Sequence, residues 1–297
     1  MSPITIKHNK FTRAFFAPFR FIIKKTSKTL YVKLEYRYVT GHKLHLNNPQ
    51  RYTEKLQYLR LKKYPKNPDV INCASRVELR KILKKLGFED NLVKIYGVFN
   101  KFEDINFATL PESFIMKCTH ASGFNYIVRN KNGIEIEELN KMFTKWLKTN
   151  YGKKTVELHY SPIKPQIIIE ELLLENKHLP IEYKIHVFNG KARYMYIVTD
   201  RENDIHYNNY LIDWTPYERA QFNHWTSTTK EIKKPRCWDE AVNIAETISR
   251  KFPFVRVDLF IINNHIYISE MTFTPAKGTL TFEDDNVDYE ISSWLTL

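Results

Sequence analysis

The pattern of apolar and polar positions predicts seven β-strands and several helices. Two-residue alternation and short apolar runs, both typical of strands, occur at residues 114–118, 126–129, 167–174, 183–188, 193–199, 254–262 and 265–271. The pairs Asn189-Gly190 and Asn263-Asn264 favour tight turns, so each predicts a hairpin. Helical spacing occurs at residues 44–63, 75–83, 136–147 and 238–251. Hairpins mixed with helices indicate an α+β fold.

A proline-punctuated stretch at residues 64–68 predicts a boundary within the chain. Residues 1–65 would form an N-terminal extension with a mostly helical connector, and residues 66–297 would form the main unit. The chain of 297 residues, 43% of them hydrophobic, is long enough to bury a full-sized core. No run reaches the roughly 18 apolar residues that span a bilayer, and the start of the chain lacks the pattern of a secretory signal. We therefore expect a cytoplasmic protein.

The three cysteines are far apart in the sequence. Cys73, Cys118 and Cys237 form neither a CxxC pair nor a metal-ligand spacing with histidine. We expect them to be reduced, buried thiols.

The positive charge of the chain is concentrated near its start. The net charge is +13, and residues 1–65 account for all of it, with fifteen Lys and Arg against only Glu35 and Glu54. Aromatic and aliphatic residues interleave with the basic ones in residues 11–28, a composition that suits a surface segment on anionic lipid. The alternative is a basic leader folded against the body of the protein. Nucleic-acid binding is disfavoured, because no helix-turn-helix, zinc-finger or RNP-type pattern accompanies the charge.

Two strand lysines are candidates for binding phosphate. Lys117 precedes a short polar loop at residues 119–125, so it could reach a phosphate while the loop closes over it. Lys184 lies on a later strand and is the second candidate. The alternative for both is a lysine that extends into solvent. Between them, the apolar strand at residues 167–174 is broken by two acids, which indicates either a hinge offering its main-chain edge to adenine or a core strand with a solvated end.

The last predicted hairpin carries two carboxylates in otherwise apolar strands. A strict two-residue turn at Asn263-Asn264 places Asp258 opposite Ser269, whereas a three-residue loop centred on Asn264 places it opposite Glu270. A metal site requires the second register. Opposed like charges are unfavourable unless a cation such as Mg²⁺ neutralises them while bridging phosphate oxygens. The alternative is a pair of exposed carboxylates.

From about Val70 to its end, the chain resembles the TupA-like (teichuronopeptide biosynthesis) branch of the ATP-grasp superfamily. Members of this branch are found in bacterial capsule and cell-surface polysaccharide biosynthesis. The order and spacing of several blocks carry the resemblance: residues 110–118 (LPESFIMKC), His120 with Ser122-Gly123, residues 163–165 (IKP) running into 168–171 (IIEE), 182–184 (EYK), 188–191 (FNGK), 256–259 (RVDL) and 270–273 (EMTF).

The resemblance implies an ATP-grasp fold, in which two small α+β lobes clasp a nucleotide, here with a basic N-terminal helical extension. It also implies a role for individual residues. Lys117 and Lys184 would bind ATP phosphates together with the loop residues Ser122 and Gly123; Glu171, Leu172 and Leu173 would form the adenine hinge; Asp258 and Glu270 would hold Mg²⁺; Arg256 would steady a phosphate.

Three positions depart from the family pattern. The phosphate loop reads His120-Ala121-Ser122-Gly123 where the family usually has His-Gly-Ser-Gly, so one glycine is replaced. Thr272 stands where many ATP-grasp proteins have a metal-binding Asn. Ser75-Arg76 stands where the family has an Asp-Lys pair.

The function implied by the resemblance is that of an ATP-dependent carboxylate-amine ligase working through an acylphosphate. Such chemistry depends on charge clamps more than on a side-chain nucleophile. The expected partners are an anionic glycan or lipid-linked glycan, an amine co-substrate and the inner face of the plasma membrane, with no nucleic acid. Two alternatives remain open: a transferase of the same pathway, either a glycosyltransferase or a kinase, and a catalytically silent scaffold.

Overall fold

A computed structural model describes residues 17–297 of the protein, with side chains from residue 21 onward. The part of the predicted lipid-facing segment before residue 17 lies outside these described residues. Two helices follow, α1 (Ala17–Thr26) and α2 (Lys28–Thr40). Ser27 begins α2 by accepting a hydrogen bond from the backbone of Leu30, and Gly41 ends it with a φ of 77°.

Three further helices connect this extension to the sheets: α3 (Tyr52–Tyr58), which continues into a π-helical turn at Leu59–Lys63, then α4 (Pro68–Ala74) and α5 (Arg76–Lys85). Side chains of α3 belong to the same apolar core as the sheet that follows later in the chain. The predicted connector at residues 44–63 is helical only from Tyr52. The predicted division at residue 65 stays a prediction.

The first lobe is a four-stranded antiparallel sheet with two helices. Its strands have the order β1-β4-β2-β3. They are β1 (Ile95–Phe99), β2 (Phe114–Cys118), β3 (Asn125–Val128) and β4 (Ile167–Glu171), and the helices between β3 and β4 are α6 (Ile136–Leu147) and α7 (Tyr151–Thr155). Phe143 of α6 packs against Phe114 and its neighbours in a small separate core.

The second lobe is a five-stranded antiparallel sheet in the order β7-β6-β5-β8-β9. Its elements are β5 (Glu182–Phe188), β6 (Lys191–Thr199), β7 (His206–Leu211), α8 (Trp238–Ser249), β8 (Phe254–Ile262), β9 (His265–Thr272) and α9 (Asn286–Ser293). One face of the sheet is apolar and covered by α8. The other face carries the candidate site.

The two sheets with their helices confirm the predicted α+β fold of two lobes. The helix predicted at residues 136–147 has those bounds, and Gly87, with a φ of +84°, follows α5. The strand predicted at residues 167–174 ends at Glu171, while β1 and β7 are additional strands. Cys73 and Cys118 are buried as expected, whereas Cys237 is partly exposed.

In the described part of the chain, residues 17–297, no helix has both the length and the apolarity needed to cross a membrane.

Candidate active site

One face of the second sheet carries a row of polar side chains across four strands. Tyr196 on β6 lies opposite Lys184 on β5, Lys184 lies opposite Asp258 on β8, and Asp258 lies opposite Glu270 on β9. Directly opposed residues share a face of a sheet, so these side chains all project from the same side. Arg256, two residues before Asp258, projects from that side as well.

The register of the last hairpin depends on a β-bulge. The turn has two residues, since Ile262 pairs with His265, and the prediction that a three-residue loop is needed was wrong. Asp258 nevertheless pairs with Glu270, because Leu259 pairs with Ile268 and Ser269 is left as the extra residue of a bulge. The two carboxylates therefore lie opposite each other, as the metal interpretation requires.

Asp258 is the most enclosed group of the row, because its side chain has no exposed surface. Its Oδ1 accepts a hydrogen bond from Nε of Arg256 at 2.6 Å, and its Oδ2 accepts one from Nη2 of the same residue at 2.7 Å. Lys184 donates to Oδ2 at 2.5 Å. Arg256 also donates to the hydroxyls of Tyr196 at 2.9 Å and Thr272 at 3.1 Å, which fixes the guanidinium.

Lys184 is charged although it is buried. Burial alone would lower the pKa of Lys184, but the carboxylates of Asp258 and Glu182 outweigh it and raise that pKa above its ordinary value. The second carboxylate, Glu182, lies 2.8 Å from the ammonium and 2.6 Å from Arg201. Burial likewise acts to raise the pKa of Glu182, and these two cations bring it below its ordinary value. The alternative, in which Lys184 extends into solvent, is therefore excluded.

Lys117 has a matching arrangement on the first sheet. Ile115 of β2 lies opposite Glu170 of β4, so Lys117 and Glu170 are diagonal neighbours on one face. The ammonium donates to Oε2 of Glu170 at 2.6 Å, and Arg80 lies 3.6 Å from Oε1. Burial would raise the pKa of Glu170, but the charge of Lys117 and the nearby arginines hold it below its ordinary value. Lys117, with 12% of its side chain exposed, does not extend into solvent either.

Arg76 links the predicted phosphate loop of the first lobe to Glu270 of the second lobe. This arginine donates to the carbonyl of Ala121 at 3.3 Å and to Oε2 of Glu270 at 2.9 Å. In the loop, only Gly123 has a positive φ, at +75°, so Ala121 replaces the family glycine without backbone strain. Ser122 is exposed and hydrogen-bonds with Tyr151.

The predicted hinge follows directly from β4. Glu171 is the last residue of that strand, and its backbone amide donates to the carbonyl of Lys94 at 2.9 Å. Leu172 is buried, while Leu173 is only partly buried. The predicted hinge thus lies where β4 of the first lobe ends and the irregular chain begins. Its role in binding adenine remains a prediction.

Five charged partners were not predicted from the sequence, namely Glu170, Glu182, Arg76, Arg80 and Arg201. Glu170 and Glu182 were visible as acids in apolar strands, where an unpaired charge is costly. That cost could have identified them as partners of the two strand lysines. The arginines come from other elements, and no local pattern links them to the site.

The candidate site has more cations than carboxylates among the residues that the structure describes. Six basic residues lie within its ion pairs, and four acids oppose them: Arg76, Arg80, Lys117, Lys184, Arg201 and Arg256 against Glu170, Glu182, Asp258 and Glu270. Most of these side chains are buried, and their excess of positive charge suits an anionic ligand such as an oligophosphate.

Asp258 and Glu270 are the candidate carboxylates for a magnesium ion that is shared with phosphates, and binding at Asp258 would replace contacts of its oxygens with Lys184 and Arg256. Mg²⁺ is commonly bound by one or two carboxylates, with phosphate oxygens and water completing its shell, and Asp258 and Glu270 supply such a pair. Within residues 17–297, no group of three or more His, Cys, Asp or Glu side chains is placed to hold a metal by itself. The donor set therefore suits a metal that arrives with a phosphate ligand.

Three histidines, His120, His159 and His186, are buried. His120 lies in the phosphate loop, with its Nε2 within 3.3 Å of the carbonyl of Trp146 and 3.2 Å of that of Thr149. Burial lowers the pKa of His120 and also that of His186. His159 has no hydrogen-bond partner on either ring nitrogen, and burial lowers its pKa to about 3.

His159 is expected to make the fold sensitive to acid. An unfolded histidine takes up a proton near pH 6.5 and the folded one only near pH 3, so the free energy of unfolding falls as the pH drops between these values. From pH 6.5 to 4.5 one such proton accounts for about 2–3 kcal/mol. Urea unfolding at both pH values should show a smaller decrease in the free energy of unfolding for His159→Leu than for the wild type. The exposed His178 provides the control variant His178→Leu, for which this decrease should equal that of the wild type.

Comparison with solved structures found ligases that are similar at low identity. D-alanine–D-alanine ligase from Bacillus anthracis complexed with ATP is 17% identical, with a TM-score of 0.41, over 69% of this chain and 55% of that one. L-amino acid ligase from Bacillus licheniformis is 12% identical, with a TM-score of 0.47, over 81% of this chain and 51% of that one. The chain thus spans little more than half the length of these proteins. No curated protein sequence matches it.

The family comparison is more extensive. A sequence model described as TupA-like ATPgrasp matches residues 54–295, from α3 to the end of the second lobe. The match includes both strand lysines, the loop between them and the two opposed carboxylates. By this match over most of its length, the chain belongs to the TupA-like ATP-grasp family.

Proposed function

We propose that the protein is an ATP-dependent carboxylate-amine ligase that acts in bacterial cell-surface or capsular polysaccharide biosynthesis. The observation that carries this proposal is the buried row in which Lys184, Asp258 and Glu270 lie side by side, with Arg256 beside them. An enclosed set of cations around two opposed carboxylates is what the binding of a metal-nucleotide requires. Membership of the TupA-like family supports the same chemistry.

Each residue of the site has a proposed task. Lys117 and Lys184 bind phosphate oxygens, the loop with Ser122 and Gly123 closes over them, and Arg256 steadies the phosphate that is transferred. The chain from Glu171 to Leu173 offers its edge to adenine. Asp258 and Glu270 hold Mg²⁺, which when bound neutralises charge on the phosphates.

The reaction needs no side-chain nucleophile. A carboxylate oxygen of the acid attacks the terminal phosphorus of ATP, and the bond to ADP breaks. The amine nitrogen then attacks the acyl carbon, phosphate leaves with the carbon–oxygen electron pair, and the nitrogen loses a proton to give the amide. The cations of the site stabilise the charge that develops in both steps.

A surface glycan or its lipid-linked precursor, carrying a uronic acid, is the proposed acid substrate. The basic N-terminal extension supports an anionic, membrane-tethered substrate and peripheral contact with the inner face of the plasma membrane. The amine is an amino compound joined to that acid.

The proposal predicts that ADP release depends on two acceptors. The purified protein would be given Mg-ATP with a panel of uronic acids and a panel of amino acids, separately and together, while ADP is followed. A ligase releases ADP at an appreciable rate only when both an acid and an amine are present. Hydroxylamine in place of the amine should give a hydroxamate in equal amount to the ADP, because it traps an acylphosphate.

The other outcomes select the other functions. ADP release with one acceptor, and phosphate retained on it, would identify a kinase. Nucleotide binding without any turnover, together with an unchanged surface glycan in cells carrying Asp258→Asn, would contradict the ligase and favour a scaffold.

A further inference from the structure

The two N-terminal helices carry an unusual share of exposed apolar side chains. Fourteen large hydrophobic residues are exposed in the part of the chain that the structure describes, and six of them lie between residues 21 and 39. Phe21 and Ile22 of α1 are the most exposed, at 59% and 57%. Leu30 and Leu34 of α2 follow at 47% each, one helical turn apart.

The exposed stripe is separate from the face that holds α2 on the protein. Val32 and Tyr36 are fully buried and pack with Leu44 and Val156 in a small core. The side chains at residues 30 and 34 point away from that core, because they differ from the buried positions by about half a turn of helix. The exposed side chains of the stripe are therefore not part of the small core that holds α2.

The charged side chains that α1 and α2 expose, among those that the structure describes, are all positive. Lys25, Lys28, Lys33 and Arg37 are exposed, and the ammonium of Lys25 lies 4.6 Å from the centre of the Phe21 ring. The only acid in these helices, Glu35, is turned inward to Arg60 at 3.2 Å, with 17% of its side chain exposed. The outer surface of the two helices thus combines apolar and basic groups without a carboxylate.

We infer that this surface of α1 and α2 docks on an anionic phospholipid bilayer. Apolar side chains flanked by lysine and arginine can enter the headgroup region while the charges pair with lipid phosphates. The charge is complementary to such a bilayer, since residues 1–65 contain fifteen basic residues and two acids.

Docking through these helices would place the candidate active site close to the bilayer. Lys24 of α1 donates a hydrogen bond to the carbonyl of Lys154, whose ammonium lies 5.9 Å from the centre of the Phe124 ring. Phe124 directly follows Gly123 of the phosphate loop. On the proposed function, a lipid-linked acid would then meet the loop without leaving the membrane.

The test is sedimentation of the full chain with vesicles of phosphatidylcholine alone or mixed with phosphatidylglycerol. The wild type should bind the mixed vesicles and release them at high salt. Leu30→Ser/Leu34→Ser should weaken this binding about tenfold or more, and Lys33→Glu/Arg37→Glu should do the same. The matched control Ile136→Ser/Ile205→Ser removes two exposed apolar side chains from elsewhere and should bind like the wild type.

Three results would overturn the docking surface. One is equal binding of the wild type to neutral and anionic vesicles, and another is equal binding by the leucine variant and its control. The third is an oligomer of the wild type that Leu30→Ser/Leu34→Ser dissociates, without any vesicle binding, since a second copy of the chain would then cover the stripe. Calorimetry with Mg-ATP on the same variants keeps this test apart from the ligase proposal, because the docking variants should bind nucleotide normally.

Discussion

Asp258→Asn is expected to lower the free energy of unfolding by about 3–5 kcal/mol, because it removes the buried carboxylate that two buried cations share. Lys184 and Arg256 both hydrogen-bond to this carboxylate, and the aspartate side chain has no exposed surface. The variant should also lose ATP-dependent turnover by a factor of about 10²–10³, since it removes one of the two metal-binding carboxylates. Urea unfolding and ADP release measure the two effects separately.

A second substitution separates the structural effect from the functional one. In Asp258→Asn/Lys184→Met one of the two buried cations is also removed. Compared with Asp258→Asn, the double variant should therefore regain part of the lost stability but none of the lost turnover. The control Asp239→Asn changes a carboxylate that is 91% exposed and should alter neither quantity. If the double variant regained turnover along with stability, Asp258 would be a structural residue only.

Lys117→Met is expected to weaken Mg-ATP binding by about a hundredfold. A charge-assisted hydrogen bond to phosphate contributes about 1.5–3 kcal/mol, and tenfold in affinity corresponds to about 1.4 kcal/mol. The structural cost should be smaller than for Asp258, because Glu170 keeps Arg80 at 3.6 Å. Calorimetric titration with Mg-ATP gives the affinity.

The ion pair of Lys117 provides its own comparison. Glu170→Gln removes the other partner at 2.6 Å and leaves the lysine available for phosphate, so nucleotide binding should remain within a few-fold of the wild type. Lys101→Met, at an exposed lysine of the same lobe, should have no effect. If Lys117→Met and Glu170→Gln lost equal amounts of affinity for Mg-ATP, the ion pair would have a structural role and the lysine would not bind phosphate.

The sequence was most informative where local patterning decides the structure. Alternation placed Lys184 and Asp258 on strands, and the apolar spacing of residues 136–147 gave the bounds of α6. By contrast, β1 and β7 were not predicted. β1 contains Gly97 and β7 contains Asn208-Asn209, residues that are unfavourable in isolated strands. Both strands lie at sheet edges, where pairing with a neighbouring strand stabilises them.

The charged network was less predictable than the strands. Each strand lysine could be recognised as a candidate, but its carboxylate partner depends on strand register, which long-range packing decides. Arg76 is the clearest example, because it reaches Glu270 from a helix that is distant in sequence. Its difference from the family pattern was visible in the sequence, whereas its contact with the second metal-binding candidate was not.

The bulge at Ser269 adds one residue to β9 without changing which side chains face each other. Ile268 lies opposite Leu259 and Glu270 lies opposite Asp258, so Ser269 has no partner of its own on β8. Deleting Ser269 alone would leave a regular ladder in which Glu270 still lies opposite Asp258. Relatives with a two-residue turn and no bulge are therefore expected to have this carboxylate one residue closer to the hairpin tip.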